Sequence, residues 1–285
     1  MKKEFNQCLI TGNKDLIPLV GYEDNYLVKS KSSGFVFCSK IPTEEELINY
    51  YSNYPIGYGA DSPLNIKRIN ERLDEFEQFR ANNKILDVGC GPGIFLTEAK
   101  KRGWEVYGTE FTDNQIKYLK EKGINTFKGK LNKKSFSEGL FDVIVSSEVI
   151  EHINNPLEEI NLFNLFLRKG GLLYITTPNF NSIERYILKG KYNVIQYPEH
   201  LCYYTPKTIN LLLTKNGFKK LKLTTTGFNP SRFKSSLNQN NNPSSSEELR
   251  ESMEKGFKNL IKNIINWFLN LFKIGNSLKV WYIKA

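Results

Sequence analysis

From residue 84 onward, short apolar runs alternate with segments in which apolar residues recur every three or four positions. The runs suit strands and the spaced segments suit helices with one buried face. This reading predicts strands over 84–89, 105–110, 125–127, 141–146 and 172–177, with helices over 94–102, 112–122 and 157–167. A helix over 206–216, a strand over 219–226 and a last strand over 278–283 complete the series. The strands are apolar without strict alternation, as expected for a parallel sheet covered on both faces. Repeated strand–helix–strand units make a doubly wound α/β sheet the economical fold class.

The flanks follow other patterns. Residues 1–60 form a small module of short strands and turns, with strand candidates at 26–28 and 34–38. Pro42 precedes the acidic first turn of a segment running to Tyr51. Asp61-Ser62-Pro63 is a helix start, because a side-chain oxygen can cap free amides and proline has none to satisfy. Ile66, Ile69, Leu73 and Phe76 then share a face, and Asn82 and Asn83 are expected to end that helix. The domain over 61–285 contains an insertion, 227–277. Within it, 230–247 is rich in Asn, Ser and Pro and reads as a loop. Residues 249–273 read as an amphipathic helix, with Phe257, Leu260, Ile261, Ile264, Phe268, Leu271 and Phe272 in one stripe. Packing of that stripe on the catalytic domain is the simpler expectation. A lid, a homodimer contact and a peripheral contact with anionic lipid remain open.

The 285 residues carry a formal charge of +10, which favours anionic partners or simply solubility. No compact basic recognition helix or aromatic-rich strand motif accompanies it, so no specific nucleic-acid partner is expected. The four cysteines are widely separated and form no CxxC pair, which counts against a disulfide framework and a four-cysteine zinc site. No run reaches the roughly 18 apolar residues of a spanning helix. The first residues lack the apolar centre of a secretory signal. A cytoplasmic location, at most peripheral to the inner face of the membrane, is the expectation.

Asp87-Val88-Gly89-Cys90-Gly91-Pro92-Gly93 follows a predicted strand and opens a predicted helix. Glycines there let the backbone turn sharply and approach a ligand. Glu110 ends the next strand, 23 residues beyond Asp87, where a carboxylate can accept hydrogen bonds from ribose hydroxyls. A nicotinamide dinucleotide site, or a tight turn beside a solvated glutamate, are the alternatives.

These motifs resemble those of class I S-adenosylmethionine-dependent methyltransferases, in particular bacterial ubiquinone-type and surface-polysaccharide O-methyltransferases. The likeness continues through Glu148-Val149-Ile150-Glu151-His152-Ile153, Lys169-Gly170-Gly171, Thr177-Pro178-Asn179 and Glu199-His200-Leu201. It implies a Rossmann-like sheet of seven strands and S-adenosyl-L-methionine as cofactor. Asp87, Gly89, Gly91, Gly93, Glu110, Phe111, Ser147 and Glu148 would bind it. An adenine contact is assigned to Leu131, because the stretch Gly129-Lys130-Leu131-Asn132 lacks the acid that many relatives place there.

The implied reaction is methyl transfer to a hydroxyl of a small-molecule or sugar-linked acceptor, as in polysaccharide or glycolipid assembly. Transfer to RNA or protein, and a cofactor-binding scaffold without catalysis, are the alternatives. His200 and His152 are the candidate bases. No metal is assigned: Glu148, Glu151 and His152 resemble a ligand set of ubiquinone-type relatives, but Glu151 and His152 are neighbours expected to point apart. The first 60 residues resemble a zinc-binding module that has lost its ligands, with Thr11, Ser30 and Ser33 in place of thiols and Cys8 alone retained.

Overall fold

A computed structural model describes residues 4–43, 45–46, 61–227 and 256–285. Its centre is a seven-stranded sheet in the order β10-β11-β8-β7-β4-β5-β6. The strands are β4 (Lys84–Val88), β5 (Glu105–Glu110), β6 (Asn125–Lys128), β7 (Phe141–Ser147), β8 (Leu167–Pro178), β10 (Phe218–Thr226) and β11 (Ser277–Lys284). Strands β4 to β8 pair in parallel, while β11 runs antiparallel to both β8 and β10. Six of the seven residues of β7 are buried, which explains its continuous apolar run. The order reverses between β4 and β7, so the carboxyl ends of these two strands border the crevice where open α/β sheets bind ligands.

Helices α1 (Pro63–Phe76), α2 (Ile94–Lys101), α3 (Asp113–Glu121) and α4 (Pro156–Phe166) alternate with these strands. The cap read at Ser62 is present: its side chain accepts from Asn65 N, with Pro63 in the first turn. Helix α1 nevertheless ends at Phe76, well before Asn82 and Asn83. A 3₁₀ turn follows, its end tied down by Arg168, whose guanidinium donates to the Phe79 carbonyl at 2.5 Å. Asn82 instead donates its backbone N–H to Asp142 at 2.9 Å and leads into β4. Gly170 and Gly171, which precede the strand predicted over 172–177, lie inside β8. The backbone oxygen of Asp142 would stand 2.9 Å from a Cβ on Gly171, so only glycine admits that approach.

A second sheet joins β1 (Leu16–Pro18), β2 (Leu27–Ser30), β3 (Val36–Cys38) and β9 (Cys202–Tyr203). Its fourth strand thus comes from more than 160 positions further along the chain, because Phe37 pairs with Cys202 and Val36 with Tyr203. Two matching turns face each other in this module. Gly12 N donates to the Cys8 carbonyl and Gly34 N to the Ser30 carbonyl, both glycines having positive φ. The turns bring Thr11, Ser30 and Ser33 around the Cys8 thiol, with Ser33 Oγ at 3.4 Å. Burial pushes that thiol up, and hydrogen bonds from Ser33, Thr11, the Ile10 backbone and Ser30 together outweigh it and hold the thiol below its ordinary value.

Beyond β8 come α5 (Ile183–Leu188), α6 (Pro206–Lys215) and, from the insertion, α7 (Gly256–Leu271). The expected loop at 230–247 and the first residues of the expected helix, 249–255, lie outside the described residues. Within α7 the apolar stripe does not pack on the domain as the simpler expectation held. Leu260, Ile264, Trp267, Phe268 and Leu271 are exposed, while Lys262, Asn266 and Asn270 are half-buried.

Candidate active site

The carboxyl end of β4 runs straight into the glycine loop, and its geometry divides the three glycines by task. A Cβ on Gly93 would sit 2.4 Å from Leu119 Cδ2, and one on Gly89 would sit 2.8 Å from Val149 Cγ2. These two glycines let the loop close on α3 and on the segment after β7. Gly91, with φ of 49°, has nothing within 4 Å of its missing Cβ. It is therefore the glycine with open space beside its Cα, while its carbonyl accepts from Gln115 Nε2 at 2.9 Å. Thr109 fixes the loop from β5: its hydroxyl accepts from Gly89 N at 2.9 Å and its carbonyl from Cys90 N at 3.0 Å. Sequence reading passed over Thr109, because a β-branched residue in a strand looks like filler.

Asp87 is buried at the base of this loop, and burial pushes its carboxyl up to about 8. Glu110 ends β5 beside it, with Oε1 accepting from Phe111 N at 2.7 Å. Burial raises the Cys90 thiol, and the charges of Asp87 and Glu110 raise it further, which places both carboxyls around the same loop. Phe111 follows as an aromatic side chain that is 62% exposed. Leu131 is buried in the main core, so a role beside a ligand would fall to its backbone. An open backbone at Gly91, an acid at the end of β5 and a bare aromatic ring next to it suit a nucleoside with free ribose hydroxyls and a planar base.

The second half of the site lies at the ends of β7 and β8. Ser147 and Glu148 are exposed there, and Glu148 adopts a positive φ of 53°, a strained state for a non-glycine residue. Its carboxylate accepts from the Thr176 hydroxyl at 2.8 Å, and its N–H donates to the Thr176 carbonyl. A single 3₁₀ turn then carries Glu151 and His152. Contrary to the expectation that these neighbours point apart, Glu151 Oε1 and His152 Nε2 lie 4.0 Å from each other. The His200 ring stacks edge-on to His152 with centroids 4.8 Å apart. One ligand atom from each of Glu151, His152 and His200 falls within 4.8 Å of the other two. A 3₁₀ turn sets consecutive side chains about 120° apart, so it is the bonds from Thr177 to Glu151 and from His152 to the Glu199 carbonyl that hold the two on one side.

Each histidine is oriented through Nδ1. His152 Nδ1 bonds the Glu199 carbonyl at 2.8 Å and His200 Nδ1 the Val194 carbonyl at 2.6 Å. A carbonyl only accepts, so Nδ1 carries the proton in both rings and Nε2 is the basic nitrogen of the neutral form. Burial lowers the His152 pKa, against the pull of the Glu199 and Glu148 carbonyls and the Glu199 charge. Glu151 is fully enclosed: burial first, then the charges of Glu148 and Glu199, push its carboxyl well above the ordinary range. The Thr177 hydroxyl donates to its Oε2, while its Oε1 has no hydrogen-bond partner. One carboxylate and two carbonyl-oriented imidazoles form a donor set that can take a divalent cation, although the sequence reading assigned none.

The loop carrying His200 is held by the N-terminal module. Lys40 is buried, pairs with Glu46 at 2.6 Å, and lies over the rings of Tyr26 and Tyr197. Tyr197 OH donates to Glu46, Tyr197 N to Asn25, and Cys38 N to the Leu201 carbonyl. A narrow cavity then runs from Glu151 and His200 between Phe180, Tyr192, Ile195 and Tyr203.

The family model described as Methyltransferase domain matches residues 63–223. The ubiquinone biosynthesis O-methyltransferase of Pseudomonas fluorescens is 28% identical over 127 residues, covering 42% of this chain and 53% of that protein. Its counterpart from Rickettsia conorii is 29% identical over 162 residues, covering 53% of this chain and 55% of that protein. The chain thus spans about half the length of the curated relatives it matches. Among solved structures, a SAM-dependent methyltransferase from Archaeoglobus fulgidus superposes with a TM-score of 0.54 at 23% identity, over 78% of this chain and 93% of that one. Phosphoethanolamine N-methyltransferase 2 of Haemonchus contortus, in complex with S-adenosyl-L-methionine, gives 0.57 at 16% identity, over 88% and 63%. Matched over more than half its length, and carrying the seven-stranded sheet and glycine loop described above, this chain belongs to the methyltransferase domain family.

Proposed function

We propose that the protein transfers a methyl group from S-adenosyl-L-methionine to a hydroxyl of a small or sugar-linked acceptor, in a pathway that builds a surface polysaccharide or glycolipid. The observation that supports this most is the convergence, at one end of the sheet, of the open Gly91 backbone with Glu110 and of the Glu151–His152–His200 cluster. The cofactor, when bound, supplies an electrophilic methyl on a sulfonium. The chain's own task is to fix the attack geometry and to manage the acceptor's proton. On this reading Glu110 holds the ribose, Phe111 covers the base, and the glycine loop sets the depth of the nucleoside.

On the acceptor side, Nε2 of His152 or His200 takes the hydroxyl proton. The low pKa of His152 keeps it neutral and able to accept at pH 7. A divalent cation held by Glu151, His152 and His200 would instead lower the hydroxyl's own pKa.

The test is incubation of the purified chain with isotopically labelled methyl donor and separate pools of nucleotide-linked sugars, lipid-linked sugars, small phenols, RNA and protein. Label in a small hydroxylated product, lost in His152→Ala/His200→Ala with cofactor binding retained, is the expected result. Label confined to RNA or protein refutes the acceptor class. Tight cofactor binding with no transfer to any pool argues for a scaffold.

A further inference from the structure

Helix α7 is docked inside out. Its polar face is the one held against the protein. Asn266 Oδ1 accepts from Gly227 N at 2.8 Å, and Asn270 Oδ1 accepts from Thr225 N at 3.0 Å. The Thr225 hydroxyl donates to the Leu269 carbonyl, and Lys273 Nζ, beyond the helix end, donates to Leu223 and Asn270. These bonds satisfy the ends of β10 and fix the rotation of the helix. The apolar face is therefore turned to the outside. Its large side chains from Leu260 to Phe272, Leu269 apart, are 40% to 62% exposed. Monomeric soluble proteins rarely leave a contiguous apolar strip of this kind uncovered.

The strip continues onto a second element. Ile183 N, at the start of α5, donates to the Ile274 carbonyl, and the Asn181 side chain donates to the Lys273 carbonyl. Ile183, Tyr186 and Ile187 of α5 are also exposed. Lysines lie along its edges: Lys262 and Lys273 are half-buried at the helix, and Lys219 and Lys220 of β10 are exposed. Lys189 and Lys191, both exposed, follow α5.

We propose that α7 and α5 form an interfacial surface that binds anionic lipid bilayers, with the apolar strip entering the headgroup boundary and the lysines meeting lipid phosphates. Interfacial helices have this build: one broad apolar face with tryptophan and phenylalanine, and cations at its edges. A second copy of the chain is the weaker occupant, since a symmetric contact would set the same lysines against each other. Helix α5 is followed, after one 3₁₀ turn, by the 192–200 loop, whose residues line the small Glu151–His200 cavity.

The chain carries its own reporter. Of three tryptophans, Trp104 and Trp281 are 2% and 3% exposed, whereas Trp267 is 60% exposed on the proposed surface. The full chain is mixed with vesicles of phosphatidylcholine alone, or of phosphatidylcholine with phosphatidylglycerol. Emission and co-sedimentation are then followed with rising salt. The expected result is a blue shift and sedimentation with the anionic vesicles only, both weakened by salt. Ile264→Gln/Phe268→Gln/Leu271→Gln alters only exposed side chains and should leave the thermal melt unchanged. Half-burial of three such side chains in the bilayer implies about a 50-fold loss of partitioning in the variant.

Three results would overturn the proposal. One is undiminished vesicle binding by the triple variant. Another is Trp267 emission already blue-shifted without lipid, which places a segment of the chain over the strip. The last is absence of vesicle binding together with a dimer in analytical ultracentrifugation that the triple variant dissociates.

Discussion

Replacing Gly91 and Gly93 with alanine, one at a time, separates the two tasks assigned to the glycine loop. Both residues have positive φ, so either alanine adopts a left-handed backbone at a cost of roughly 1–2 kcal/mol. At Gly91 that is the whole cost, because nothing lies within 4 Å of the new Cβ. At Gly93 the methyl would stand 2.4 Å from Leu119 Cδ2 and 3.0 Å from Ile124 Cδ1, and both side chains are buried. Overpacking of that kind adds about 1–3 kcal/mol, for a total near 2–5 kcal/mol. At roughly 2–4 °C per kcal/mol, Gly93→Ala should melt several degrees below Gly91→Ala. Cofactor binding should show the opposite order. The Gly91 methyl occupies the space left for the nucleoside and should weaken binding at least about tenfold, equivalent to 1.4 kcal/mol. Differential scanning calorimetry gives the melts, and titration calorimetry with the demethylated cofactor gives the affinities below the melting range. Wild-type affinity in Gly91→Ala would falsify the placement of the nucleoside over this loop. An unaltered melt in Gly93→Ala would refute the packing argument.

Three more outcomes follow from the same structure. The Asp87 carboxyl is raised from 3.8 to about 8, so the native state holds a proton that the unfolded chain releases. Its contribution to stability is present below about pH 4 and fades as pH rises to about 8, by at most about 6 kcal/mol. Asp87→Asn should flatten that part of the stability–pH curve in chemical denaturation, and an unchanged slope would count against a buried acid. Lys40→Met removes the charge between Glu46 and the rings of Tyr26 and Tyr197. It should destabilise the fold by about 2–4 kcal/mol and speed amide exchange over residues 192–201; exchange as slow as wild type would mean that the module does not hold this loop. Manganese or zinc should bind at one site per chain, and His200→Ala should weaken binding by about 10-fold or more; equal affinity in the variant would place the ion elsewhere.

The chain's local pattern determined the strands, the glycine loop and the acid at the end of β5, because each depends on residues close in sequence. Apolar runs need a covered sheet, a glycine is required where the backbone folds back, and Ser62 with Pro63 caps a helix without distant help. The reading went astray where distant partners intervene. Helix α1 stops early because the turn after it is tied to Arg168 from β8, and β9 closes the N-terminal sheet from a segment more than 160 residues away.

Only the tertiary structure brought Glu151 and His152 onto the same side as His200, since the Thr177 hydroxyl and two backbone carbonyls set those side-chain directions. It also decided which face of α7 is turned outward. The alternation of apolar and polar residues specified an amphipathic helix and left its rotation free. That rotation is set by Asn266 and Asn270, which bond the backbone at the end of β10, and by Leu269, which packs inward.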